Sequence, residues 1–114
     1  MSLEQHQEKD YAQDPLALYR AALAAVKKLD GQVTEDVPDR GRLVATFPKT
    51  ILGKTLGERT HLTCEVRGQG GAGQVVVDAY PLDAIGRKLM FGARKGVTQT
   101  VVTLFLEHLD QQLG

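Results

Sequence analysis

The sequence predicts a two-layer α+β domain in which a four-stranded antiparallel sheet carries two helices on one face, in the order α-β-β-β-β-α. Apolar residues recur at helical spacing near both ends of the chain and alternate at strand spacing between them. A length of 114 residues with 42% hydrophobic and 25% charged residues is typical of one globular domain. An antiparallel sheet covered by helices on one side leaves its other face polar.

The first helix is predicted to begin at Asp14-Pro15 and to stop at Gly31. An aspartate accepts hydrogen bonds from the first free amides, and a proline at the first helical position has no amide hydrogen to satisfy. Residues 1–13 are rich in Glu, Gln, Asp and His and show no apolar period, which predicts a disordered arm. The single α+β domain is therefore expected over residues 14–114. The apolar stripe of the helix comprises Leu16, Tyr19, Leu23 and Val26.

The middle of the chain has the period of β-strands. Two strands are predicted at 33–37 and 42–47, and residues 60–67 alternate cleanly between apolar and polar side chains. A fourth strand is predicted at 74–80. Pro81 is expected to end it, because proline cannot donate to a strand ladder.

Two glycine motifs resemble nucleotide-binding signatures and fail on context. The stretch 68–73 matches G-x-G-x-x-G, but β-branched residues follow it, so these glycines are expected to join strand to strand. Gly53-Lys54-Thr55 matches the end of a P-loop, but Pro48 stands where the first glycine is required. Residues 48–57 are therefore expected to form a long connecting loop.

The last part of the chain predicts a second helix. Residues 82–96 show no clear period, because Gly86, Gly92 and Gly96 interrupt them. From residue 97 to the end a wide apolar stripe returns at helical spacing. The stripe comprises Val101, Val102, Phe105, Leu106, Leu109 and Leu113.

This element order, with the tail from Phe91-Gly92 to Leu113, resembles small bacterial helix-meander-helix domains of unassigned role. These include folds of the TATA-box-binding type and shortened helix-grip folds. The resemblance implies an architecture over residues 14–113 and carries no functional residue, because fold alone does not specify function.

Composition limits the classes of function. Fourteen basic and fourteen acidic residues give zero net charge, so no global field favours nucleic acid or an anionic surface, and any basic patch must be local. Cys64 is the single cysteine, which excludes an intramolecular disulfide and favours a reducing, cytoplasmic location. No run approaches the roughly 18 apolar residues that span a bilayer. The polar start does not resemble a signal peptide. No cofactor and no metal site are predicted.

One candidate site is the polar face of the sheet, away from the helices. Six side chains share the outward parity and are candidate ligand-binding residues: Arg42, His61, Thr63, Glu65, Asp78 and Tyr80. His61 with Glu65 or Asp78 could form a general acid/base couple. The alternative is a solvated face with cross-strand ion pairs. His6 is placed in the arm and away from this face, and Cys64 is expected to be an inert core residue.

A second candidate site is a local excess of positive charge. Its candidate anion-binding residues are Arg87, Lys88, Arg94 and Lys95, and no acidic residue occurs from Ala84 to Leu106. Such a segment binds phosphate groups or an acidic surface, or is a solvated connection.

The sequence therefore favours a non-enzymatic domain that binds a protein partner or a small ligand, and a homodimer is one arrangement that we consider. Two alternatives stay open. One is a hydrolase or isomerase that uses His61, and the other is anion or nucleic-acid binding through residues 87–95. Nucleic acid is the less favoured partner, because a single aromatic residue among four cations is weak support for base stacking.

Overall fold

The computed structural model describes residues 4–90 and 96–114 and forms an α+β fold. Two helices lie beside a five-stranded antiparallel sheet whose strand order is β1-β7-β6-β3-β2. The helices are α1 (Pro15–Lys28) and α2 (Val97–Leu113), and the main sheet contains β1 (Gln5–Tyr11), β2 (Gln32–Val37), β3 (Arg42–Phe47), β6 (Arg59–Gln69) and β7 (Ala72–Leu82). A separate two-stranded hairpin contains β4 (Thr50–Ile51) and β5 (Lys54–Thr55).

The predicted disordered arm is wrong for residues 5–11, which form β1 and give the sheet its fifth strand. β1 pairs with β7 in an unbroken antiparallel register. Side-chain contacts also tie it to α2, because Lys9 Nζ and Tyr11 Oη donate to the Asp110 carboxylate at 2.7 and 2.8 Å. Pairing with a neighbour, and not apolar periodicity, therefore holds this polar edge strand in place.

Helix α1 begins where the sequence predicts it. The Asp14 carboxylate accepts a hydrogen bond from the amide of Leu16 at 3.2 Å, and Pro15 occupies the first turn. The chain leaves the helix through Gly31, where an added Cβ would lie 2.7 Å from Val26 and 2.8 Å from Phe47. Glycine is therefore required here by the close approach of the chain to the core.

The core is one cluster between the inner sheet face and both helices. Helix α1 contributes residues such as Leu18 and Val26, and α2 contributes Phe105 and Leu109. The alternation predicted for β6 is present: Leu62, Cys64 and Val66 are buried, and the side chains between them are only partly so. The parity of the strands thus decides which side chains reach the outer face.

Strand β7 continues past the predicted stop at Pro81 and ends at Leu82. Pro81 lies opposite Thr60 of β6, and its carbonyl accepts a hydrogen bond from the amide of Leu89 at 2.8 Å. On the other side, the pairing with β1 ends at Ala79. Within the described residues, no β1 residue therefore lies opposite Pro81, whose nitrogen has no hydrogen to donate.

Residues 48–57 are not a plain connecting loop, because they contain the β4–β5 hairpin. Ile51 and Leu56 anchor it in the core, whereas Leu52 at its tip is 55% exposed. The glycine-rich stretch 68–73 joins β6 to β7 with Gln69 opposite Ala72, so it connects strand to strand as predicted. Within the described residues, no helix has the length and apolar character needed to cross a bilayer.

Candidate functional site

The six sequence-predicted residues of the polar face are brought together on the outer side of the sheet. Strand register places them in three neighbouring strands: Arg42 in β3, His61, Thr63 and Glu65 in β6, and Asp78 and Tyr80 in β7. Five are partly exposed and Asp78 is fully in the exposed class. We call this surface the outer face.

His61 interacts with an aromatic ring and not with a carboxylate. It lies opposite Tyr80 in the register, and the two rings stack with centroids 4.6 Å apart and planes inclined by 19°. Partial burial, and then the charge of Arg42, hold the pKa of His61 below its ordinary value. The imidazole is therefore mainly neutral near pH 7.

The carboxylates expected beside His61 have other partners. Glu65 accepts from Arg67 Nη2 at 2.8 Å and from Arg42 Nη1 at 3.5 Å. Asp78 lies opposite Thr63 and is bonded to His6. Within the described part of the chain, no hydrogen bond joins His61 to either carboxylate. The structure thus does not assemble the acid/base couple.

His6 is a residue of the outer face that sequence analysis placed wrongly in a distant arm. Its Nδ1 lies 2.6 Å from Asp78 Oδ1, and its Nε2 lies 2.8 Å from Glu8 Oε2. The hydrogen bond with Asp78, followed by that with Glu8, raises the pKa of His6. The alternation of His6, Glu8 and Asp10 was the available signal, but it has no apolar counterpart that marks a strand.

Cys64 is buried in the core, as predicted. Burial, with a smaller contribution from the charge of Glu65, raises its pKa to about 12. The side chain therefore remains a thiol and is not a nucleophile in the folded protein.

Part of the basic segment forms an ordered turn after β7, here called the Asp83 loop (residues 83–90). The Asp83 carboxylate accepts from the amides of Ile85 at 3.0 Å and Arg87 at 2.9 Å. The backbone hydrogen bond from Arg87, the largest influence, lowers the pKa of Asp83. Arg59 Nη2 donates to the carbonyls of Asp83 at 3.1 Å and Ala84 at 3.3 Å, which fastens the loop to β6.

The two cations of this loop that the structure describes differ in their surroundings. The Arg87 side chain is 76% exposed and lies 3.6 Å from Asp83. Lys88 forms an ion pair with Glu4, and its Nζ lies 5.3 Å from the centroid of the Tyr80 ring. Lys88 therefore links the loop to the outer face. The other two predicted anion-binding residues, Arg94 and Lys95, lie outside the described residues, as does Phe91.

The Asp83 loop and the β4–β5 hairpin leave the sheet at the same end. Phe47 at the end of β3, Thr60 at the start of β6 and Pro81 near the end of β7 occupy one row of the register. We call residues 48–59 and 83–90 together the loop end. Three of the exposed large hydrophobic side chains lie here: Leu52 at 55%, Ile85 at 71% and Met90 at 63%.

Charges are segregated along the sheet although the chain is neutral overall. The loop end carries Lys49, Lys54, Arg59, Arg87 and Lys88 against the carboxylates Glu58 and Asp83, and Glu4 adjoins it through its ion pair with Lys88. The opposite end, where β1 and β2 finish and α1 begins, carries Glu8, Asp10, Asp14, Glu35, Asp36, Asp39, Glu65 and Asp110 against Lys9, Arg40, Arg42 and Arg67. Cations thus exceed anions at one end and anions exceed cations at the other.

Concavities accompany both ends. An open recess of about 410 Å³ lies against the Asp83 loop, lined by Asp83, Arg87, Lys88, Leu89 and Met90. At the acidic end, a cleft of about 260 Å³ lies between α1 and the turn after β2, and Leu16, Tyr19 and Arg40 are among its lining residues. Both are open to solvent. The volume of the cleft is below the range of typical small-molecule sites, and that of the recess is at the low end of this range.

The fold and its surfaces define a small α+β domain with a polar outer face and a basic loop end. No protein-family model matches the chain, and no curated protein matches it. Among solved structures it is similar to protein CV1439 from Chromobacterium violaceum, with a TM-score of 0.61 and 12% identity over 99% of this chain and 95% of that one. It is also similar to Ara h 8.0201, with a TM-score of 0.56 and 12% identity over 96% and 97% of the two chains. These similarities concern the fold alone.

Proposed function

We propose that this chain is a non-enzymatic binding module whose loop end contacts an anionic partner surface. The observation that carries the proposal is the segregation of charge in a chain of zero net charge. Cations on neighbouring loops attract and orient an anionic surface, while the acidic opposite end is repelled by it. This gives an orientation that net charge alone does not predict.

The outer face is a less suitable binding surface than the loop end. Arg42, Glu65 and Arg67 are bonded to one another or to neighbouring carboxylates, and His6 is bonded to Asp78. Ion pairs that are already satisfied must be broken before a charged partner can use them. Lys49 and Lys54 of the loop end are better placed, because neither has such a partner within the described residues.

The hydrolase or isomerase alternative loses its main support. It needs a carboxylate that orients the His61 imidazole and raises its pKa. The nearby carboxylates are engaged elsewhere, and the pKa of His61 is lowered by burial and by Arg42. Three other proposals are compatible with the structure, but no specific contact supports them. They are a small-ligand site, a homodimer and a relationship to small helix-meander-helix domains.

Retention on immobilised heparin tests the proposal. We expect the protein to be retained at low salt and released as salt rises, because the attraction is screened. The double variant Lys54→Glu, Arg87→Glu should elute much earlier. The matched control Arg20→Glu, Arg40→Glu makes the same change of net charge at exposed positions away from the loop end and should elute like the parent. A parent protein that passes unretained, or an equal loss in both doubles, overturns the proposal.

A further inference from the structure

We propose that the anionic partner is a lipid bilayer surface, and that Leu52, Ile85 and Met90 enter its interfacial layer. This rests on the proposed function and names the partner class for the same loop end. Each of these aliphatic side chains is more than half exposed. They occupy loops at one end of the sheet, and the proposed contact requires that a single orientation of the domain presents them to one surface.

Leu52 is the most informative of the three, because it is exposed and its backbone is in a conformation that disfavours leucine. It is the first residue of the two-residue turn between β4 and β5 and has φ of 51°, and Gly53 after it has φ of 81°. Turns with two left-handed residues favour Asn or Gly, whereas a leucine in that conformation is strained. A strained and exposed leucine at a hairpin tip is therefore better explained by function than by folding.

Ile85 is held outward by a network that orders the backbone beneath it. Its own amide donates to Asp83, and Arg59 holds the carbonyls of Asp83 and Ala84. Gly86, with φ of 88°, completes the tight turn. An apolar side chain on an ordered tip loses little conformational freedom when it is buried by a partner. The loop is thus organised for contact before any partner binds.

Cations lie beside each apolar tip. Lys54 follows Leu52 in the hairpin, and Arg87 follows Ile85 in the Asp83 loop. Peripheral membrane contacts combine apolar side chains that reach the acyl boundary with Lys and Arg at the headgroups. The juxtaposition of these residues on two neighbouring loops matches an anionic headgroup layer in both polarity and charge.

Nucleic acid and protein partners fit these residues less well. Base stacking uses aromatic faces, and among the described residues the exposed large apolar side chains of the loop end are aliphatic. Protein interfaces have a contiguous apolar core enriched in aromatic residues. Here single aliphatic side chains stand on separate loops among cations, an arrangement that suits insertion into a fluid layer. Both other partners are outcomes of the test below.

Flotation with lipid vesicles tests the inference. We expect the protein to float with phosphatidylcholine vesicles that contain phosphatidylserine and not with phosphatidylcholine alone. Leu52→Ser and Ile85→Ser should each weaken vesicle binding about tenfold, since each removes an exposed aliphatic side chain that the bilayer would bury. Lys54→Gln should weaken it about fivefold. The matched control is Leu16→Ser, because Leu16 is 48% exposed at the acidic end, and it should bind like the parent.

The outcomes separate this inference from the proposed function. Retention on heparin without flotation overturns the lipid inference and leaves anionic binding intact. Flotation that Leu52→Ser and Ile85→Ser do not change overturns insertion. Tight binding of single-stranded RNA, with no flotation, assigns the loop end to nucleic acid. Absence of both heparin retention and flotation overturns the proposed function as well. Circular dichroism of every variant establishes that a loss of binding is not a loss of fold.

Discussion

The ring of His61 stacks on the ring of Tyr80 across the β6–β7 pair, with centroids 4.6 Å apart. This contact shields one face of the imidazole from water. Among the described residues, no carboxylate is hydrogen-bonded to it. The positive charge of Arg42 disfavours the protonated form of His61 and so lowers its pKa further. The histidine that looked most like a catalytic base therefore has a lowered pKa and belongs to an aromatic pair.

Titration of His61 by NMR should give a pKa below the ordinary value of 6.5. Its folded state holds fewer protons than the unfolded state between the two pKa values. This group therefore lowers the free energy of unfolding as pH falls through that window. Tyr80→Ala uncovers the ring and should return the pKa towards 6.5. A value above 6.5 in the parent would revive the acid/base alternative.

His6 should titrate in the opposite direction, above 6.5, because Asp78 and Glu8 stabilise its charged form. Its contribution to stability is present in full below the unfolded pKa and is lost as pH rises through the folded pKa. His6→Gln should therefore reduce the free energy of unfolding at about pH 5.5 more than at about pH 8.5. Asp78→Asn serves as the partner control and should lower the pKa of His6. An equal effect of His6→Gln at both pH values contradicts the pairing.

Leu52→Asn should stabilise the domain while weakening contact with vesicles. Asparagine tolerates left-handed backbone better than leucine, so the free energy of unfolding should rise by about 1 kcal/mol. Leu52→Ala is the control, because it shortens the side chain and leaves the φ of 51° unfavourable. It should lose vesicle binding without gaining stability. A destabilised Leu52→Asn protein would show that leucine is required by the fold.

The Asp83 loop should become less ordered when the hydrogen bonds of either Arg59 or the Asp83 carboxylate are removed. Arg59→Met deletes the donors to the carbonyls of Asp83 and Ala84, and Asp83→Ala frees the amides of Ile85 and Arg87. Each change should lower the free energy of unfolding and speed amide exchange in residues 83–89. Asp83→Asn keeps an acceptor oxygen and should exchange more slowly than Asp83→Ala. If the Arg59→Met variant shows unchanged amide exchange in this loop, Arg59 does not stabilise the loop.

Tyr11→Phe tests whether β1 is part of the folded domain. The variant removes the hydroxyl that donates to Asp110 at 2.8 Å, and urea unfolding should show a loss of about 1 kcal/mol. Tyr80→Phe is the matched control, since no hydrogen bond of the Tyr80 hydroxyl occurs within the described residues. Its effect should be much smaller. An unaffected Tyr11→Phe protein would return residues 5–11 to a disordered arm.

Local chemistry in the sequence was sufficient for much of the fold and for membership of the outer face. Asp14-Pro15 marks the start of α1, and the alternation in β6 separates His61, Thr63 and Glu65 from the core. These features depend on neighbours along the chain, and period and capping report them directly. The zero net charge and the single cysteine are likewise properties of composition.

Only the tertiary structure decided the fifth strand, the partners of each charge and the shared end of the two loops. β1 is polar and gains its stability from β7 and Asp110, so no apolar period announces it. Asp78 bonds His6, distant in sequence, because strand register and not spacing sets cross-strand neighbours. The same register brings Leu52 and Ile85 to one end of the sheet. Contacts between distant segments form only when the sheet is assembled. The sequence therefore supplied the residue types of the candidate binding surface, and the tertiary structure brought those residues together.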